Sequence, residues 1–163
     1  MNHTNLTSPL HILLVEDNPG DALLMREAIT ADQPRHVLHH VRDGEEALRF
    51  LSCSGEHRNA VRPDLILLDL NLPLLDGRQL LARLKRSSAW CDIPVVVLSG
   101  SSSQTDVLAS YKLHATGYVT KPADLDEFSH VARSIDDLWH SISSNRLGQP
   151  EPMPAWASWP WGT

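Results

Sequence analysis

Several apolar runs in this 163-residue sequence stop at a side chain that can do chemistry. Leu10-His11-Ile12-Leu13-Leu14-Val15 runs into Glu16 and Asp17, Leu65-Ile66-Leu67-Leu68 into Asp69, Pro94-Val95-Val96-Val97-Leu98 into Ser99, and Gly117-Tyr118-Val119-Thr120 into Lys121. A lone buried charge is very costly, so Asp69 is expected at an edge that water, a metal or a partner can reach. Brought together, Glu16, Asp17 and Asp69 would repel one another unless a cation is present. So few oxygen ligands suit Mg2+ better than Ca2+, because Mg2+ keeps several waters and shares a phosphate. Zinc is poorly supported by scattered histidines and two well-separated cysteines, Cys53 and Cys91. A carboxylate can also be a nucleophile, forming an aspartyl phosphate when the charge on the transferred group is neutralised. The cation, the Lys121 ammonium and the Ser99 hydroxyl would then each face phosphoryl oxygens, with backbone contacts from Gly100 and Asn71.

The apolar runs lack polar alternation, as expected of strands covered on both faces of a parallel sheet. Between them lie helix signals. Asn18-Pro19 suits a helix start with Ala22, Met25 and Ile29 inward, and His36–Val41 reads as a more polar strand nearer a sheet edge. Asp43 with Glu46, Asp76 with Gln79, and Asp124 with Glu127 match capping patterns. A fourth helix is expected from about Gln104 to Leu113. A last one carries Leu125, Phe128, Val131, Ile135, Leu138 and Ile142 at helical spacing and ends near Asn145. The connection from Cys53 to Pro63 is long for its place. Five strands alternating with five helices define a doubly wound α/β domain, in which functional residues gather outside the carboxyl ends of the strands.

Length and composition fit one domain with tails: residues 1–9, a domain over 10–145, and a Pro- and Trp-rich segment over 146–163. A net charge of -6 argues against a nucleic-acid surface. The cysteines read as free thiols, and no stretch approaches the roughly 18 apolar residues of a membrane span. A cytoplasmic location is expected.

As an ordered set, Glu16-Asp17, Asp69 within D-L-N-L-P…D-G, Ser99 and Lys121-Pro122 resemble the response-regulator receiver domain of two-component signalling. The resemblance covers about residues 10–145. It implies a flavodoxin-like sheet in the order 2-1-3-4-5 and a phosphoryl group accepted by Asp69 from a sensor histidine kinase. It further implies Mg2+ held by Glu16, Asp17, Asp69 and the backbone carbonyl of Asn71, with Ser99 and Lys121 binding phosphoryl oxygens. Tyr118 would be the rotating aromatic that, with Ser99, reports phosphorylation, Ser101 would tune hydrolysis, and Lys121-Pro122 would be a cis bond.

More narrowly, the long loop before the third strand, R-P-D-L-I-L-L-D-L-N-L-P and T-K-P-A-D-L-D-E-F…S-I-D-D-L-W resemble the single-domain receivers of bacterial phytochrome kinases. The implied protein is a stand-alone regulator that switches a protein-interaction surface. The alternatives are a phosphate-independent scaffold or an aspartyl-phosphate phosphatase, the latter disfavoured by Asn71 two residues after the nucleophile. Leu138, Trp139 and Ile142 prolong the apolar pattern of the last helix, which predicts homodimerisation through it. His39 and His40, neighbours on a strand, point to opposite faces and read as surface histidines rather than a metal pair. Trp156, Trp159 and Trp161 are open between a partner contact, packing on their own domain, and disorder.

Overall fold

Four short apolar runs become parallel strands largely buried on both faces, and the more polar, part-exposed run Val37–Val41 joins them as the fifth. The computed structural model describes residues 9–100, 109–121 and 125–146. Residues 1–8, Ser101, Gln104, Pro122, Asp124 and the tail from residue 147, with its three tryptophans, lie outside them.

The elements run β1 (His11–Val15), α1 (Pro19–Asp32), β2 (Val37–Val41), α2 (Gly44–Leu51), β3 (Leu65–Asp69), α3 (Gly77–Arg86), β4 (Val95–Ser99), α4 (residues 109–112), β5 (Gly117–Thr120) and α5 (Leu125–Arg146). The sheet order is β2-β1-β3-β4-β5, with every pair parallel, and the polar strand β2 is indeed at the edge. No helix among the described residues is long and apolar enough to cross a membrane.

Successive strand residues feed two separate cores. Leu13, Val15, Ile66, Leu68, Val95, Val97 and Tyr118 pack with α2 and α3 on one face, against Ala47, Phe50, Leu80, Leu81 and Leu84. Ile12, Leu14, Leu65, Leu67, Val96, Leu98 and Val119 pack with α1 and α5 on the other, against Met25, Ile29, Phe128, Val131, Ile135 and Leu138. Burying a large aliphatic side chain stabilises by about 1.5–3 kcal/mol. The fully buried run Leu65–Leu68 therefore fixes where β3 ends.

The caps follow the sequence. Asn18 Oδ1 accepts the backbone N–H groups of Gly20 and Asp21, and Asp43 Oδ1 accepts that of Glu46. Asp76 and Gln79 close a full capping box, which sets the start of α3. Glu46 instead turns back to the N–H of Arg42. The long connection after α2 is partly ordered by a 3-10 turn, Gly55–His57, whose histidine meets Phe50 edge-on at 5.4 Å.

Two residues behind the expected dimer face are used inside the chain. Leu138 is buried, and Trp139 packs against the α1–α5 core. The helical pattern continued because α1, not β5, covers it. The side chain of Ile142 lies outside the described residues.

Candidate functional site

Parallel pairing brings the strand ends to one edge of the sheet. Val15 lies beside Leu68, Asp69 beside Leu98, and Ser99 beside Thr120. Glu16 and Asp17, Asp69, Ser99 and Lys121 therefore meet although up to about a hundred residues separate them.

Asp69 is 3% exposed rather than open to water. The cause is Lys121, whose Nζ donates to Asp69 Oδ2 at 2.9 Å, while the backbone N–H of Asn71 donates to Oδ1 at 2.9 Å. Both carboxylate oxygens thus have a donor, so burial is tolerated. The Lys121 ammonium also contacts Glu16, itself buried, and lies 3.1 Å from Asp21 Oδ2. Asp17 is exposed at the rim. The backbone N–H of Lys121 donates to the Ser99 carbonyl at 2.7 Å, which holds the ends of β4 and β5 together. Ser99 is buried, whereas the Cβ position of Gly100 faces open space.

The electrostatics reflect a shortage of positive charge. Burial, reinforced by a hydrogen bond with Asp69 and the Asp69 charge, pushes the Glu16 carboxyl up to about 8 despite the opposing Lys121. Burial alone would lower the pKa of Lys121, but hydrogen bonds to Glu16 and Asp69 and the field of both carboxylates raise it on balance. Carboxylate oxygens of Glu16, Asp17 and Asp69 lie within 4.8 Å of one another. A hard divalent cation fits this all-oxygen set and supplies the charge that one ammonium cannot.

The backbone around Asp69 is shaped by Gly77, the first residue of α3. A Cβ there would lie 2.4 Å from the Asp69 carbonyl oxygen and 2.5 Å from the Leu70 Cα, so only glycine lets α3 start this close to β3. Tyr118 is fully buried in the α2–α3 core beside β4.

Two neighbours of the site were not singled out by the sequence motif. Asp21 is one; the sequence shows it only as an acid in the first turn of α1. His40 is the other: its Nε2 donates to the Glu16 carbonyl at 2.7 Å, so it is tied to the strand end rather than being a plain surface histidine. His39 faces the opposite way and stacks on His11 with ring centroids 5.3 Å apart.

Fold, strand order and the acids at the strand ends define a receiver domain. The chain belongs to the response regulator receiver domain family, whose model matches residues 12–133. Among its relatives is the response regulator Rcp1 of Synechocystis sp., 44% identical over 131 residues, which cover 80% of this chain and 89% of that protein. The phosphorylated cyanobacterial phytochrome response regulator RcpA superposes with a TM-score of 0.76 at 46% identity, covering 82% of this chain and 96% of that one. The bacteriophytochrome response regulator AtBRR does so with a TM-score of 0.67 at 38% identity, over 80% and 92%. Rcp1 also has a solved Mn2+-bound form, with a TM-score of 0.73 at 44% identity over 80% and 94%.

Proposed function

We propose that this receiver accepts a phosphoryl group from a sensor histidine kinase onto Asp69 and thereby switches a protein-interaction surface. The observation that carries the reading is the Lys121 ammonium, 2.9 Å from Asp69 Oδ2 at the edge where Glu16, Asp17 and Ser99 also end. In the reaction the phosphorus–nitrogen bond of a phosphohistidine breaks, a phosphorus–oxygen bond to the Asp69 carboxylate forms, and the freed imidazole takes up a proton. Lys121 and Ser99 bind phosphoryl oxygens as charge develops on them. Held by Glu16, Asp17, Asp69 and the backbone carbonyl of Asn71, Mg2+ would add positive charge against the remaining oxygens.

The phosphorylated acid carries about -1.5 to -2 of charge, which biases Ser99 and, through the packed core, Tyr118. A phytochrome kinase is the proposed donor, supported by the likeness to RcpA and AtBRR, both named as phytochrome response regulators. The proposed domain spans residues 10–145, in the cytoplasm. Homodimerisation through α5 is supported by its length: 22 residues reach about 33 Å at 1.5 Å per residue, roughly twice the span of a five-residue strand.

The test is phosphotransfer from purified histidine kinases, a phytochrome kinase among them, with Mg2+ present. Label passing to the wild type but not to Asp69→Asn supports the reading. Equal label on both sinks it.

A further inference from the structure

The receiver motif gives Asp21 no role, yet its Oδ2 lies 3.1 Å from Lys121 Nζ. It sits in the first turn of α1, where the Asn18 side chain accepts its backbone N–H at 3.1 Å. Lys121 therefore faces three carboxylates, those of Glu16, Asp69 and Asp21, and an ammonium has three N–H donors.

The three acceptors differ in what becomes of them. Glu16 and Asp69 belong to the acid group whose oxygens converge within 4.8 Å, and in the proposed reaction the cation and the phosphoryl group engage them. Asp21 stands outside that group, on a different element, and so remains an acceptor for the ammonium throughout. Lysine ends a flexible four-carbon stem, so its head stays in place only while acceptors fix it.

We infer that Asp21 is a positioning residue for the phosphoryl transfer, holding the Lys121 ammonium over Asp69 while Glu16 and Asp69 exchange partners. The inference rests on the phosphoacceptor reading of Asp69. Asp21 acts on the rate at which a phosphoryl group is transferred, through Lys121, rather than on cation binding.

The test is a double-mutant cycle on the full chain with acetyl phosphate as donor, measured across a Mg2+ series. Asp21→Asn is expected to lower the Mg2+-saturated labelling rate roughly tenfold, as small misplacements of a catalytic group do. The Mg2+ concentration giving half the maximal rate stays where it was. In a Lys121→Met background, Asp21→Asn has no further effect, because residues acting as a unit are not additive. An unchanged rate in Asp21→Asn, or the same fold loss in both backgrounds, overturns the inference. A wild type that takes no label overturns the reading of Asp69 and this inference with it, whereas a labelled wild type with an unaffected Asp21→Asn overturns the inference alone.

Discussion

Gly77 and Asp69 touch through their backbones: a Cβ on Gly77 would lie 2.4 Å from the Asp69 carbonyl oxygen. The start of α3 and the end of β3 are therefore locked together, and the side chain of Asp69 inherits its direction from that lock. Gly77→Ala must push α3 away from the strand, since the atoms it meets are backbone and cannot step aside. The expected cost is about 3 kcal/mol, the upper part of the range for overpacking, measured by urea unfolding. Phosphorylation by acetyl phosphate should slow as well. A Gly77→Ala protein with wild-type stability and rate would show that the contact constrains nothing.

Among the described residues, Lys121 is the single ammonium in contact with the two buried carboxylates Glu16 and Asp69. Lys121→Met keeps most of the stem and removes the charge. Breaking a buried pair by removing one partner costs about 3–5 kcal/mol. Without divalent cations the variant is expected to lose stability on that scale, and Mg2+ should raise its melting temperature more than it raises that of the wild type. If Mg2+ leaves the variant's melting temperature unmoved, the acids do not share a cation with the lysine.

Leu74 has φ 65° and is 85% exposed in the turn between β3 and α3. The left-handed region costs a branched residue about 1–2 kcal/mol, and burial offsets none of it here. Asparagine tolerates this conformation, so Leu74→Asn should stabilise the fold by about 1 kcal/mol. Calorimetry would reveal a loss instead if the leucine packs in solution.

His39 lies 3.0 Å, Nε2 to Nδ1, from His11. Burial first, then the nearby charges of His11 and Arg26, lower its pKa from the ordinary 6.5. The unfolded chain protonates this group at the ordinary value while the folded chain resists, so the unfolded state binds more protons as pH falls below 6.5. Stability from neutral His39 is present above that pH and is lost on acidification. Thermal melts from pH 7 to 5 should show the wild type falling faster than His39→Gln, and parallel curves would remove His39 from the account.

Much of this was legible in the sequence because parallel strands buried on both faces must be continuous apolar runs, and such runs end where the crevice begins. Glu16, Asp17, Asp69, Ser99 and Lys121 could be found that way, and Asn18, Asp43 and Asp76 announced their helices by local capping chemistry. What the sequence hid depended on tertiary distance. Asp21 looks like any acid in a first helical turn until Lys121, a hundred residues away, arrives beside it. Asp69 was expected at an accessible edge but is buried because the same lysine covers it. Trp139 shows nothing in the sequence of its packing against the α1–α5 core. His11 and His39 stack only because β1 and β2 pair in the register that sets His11 beside Val37.

Asp69 is the proposed acceptor of the phosphoryl group. The most direct measurement is the site of an acid-labelling reaction: incubation with acetyl phosphate and Mg2+, followed by mass spectrometry that locates the phosphoryl group on the chain. One phosphoryl group is expected on Asp69 in the wild type and none on Asp69→Asn. A phosphoryl group found elsewhere, or an Asp69→Asn protein labelled as fast as the wild type, would contradict it.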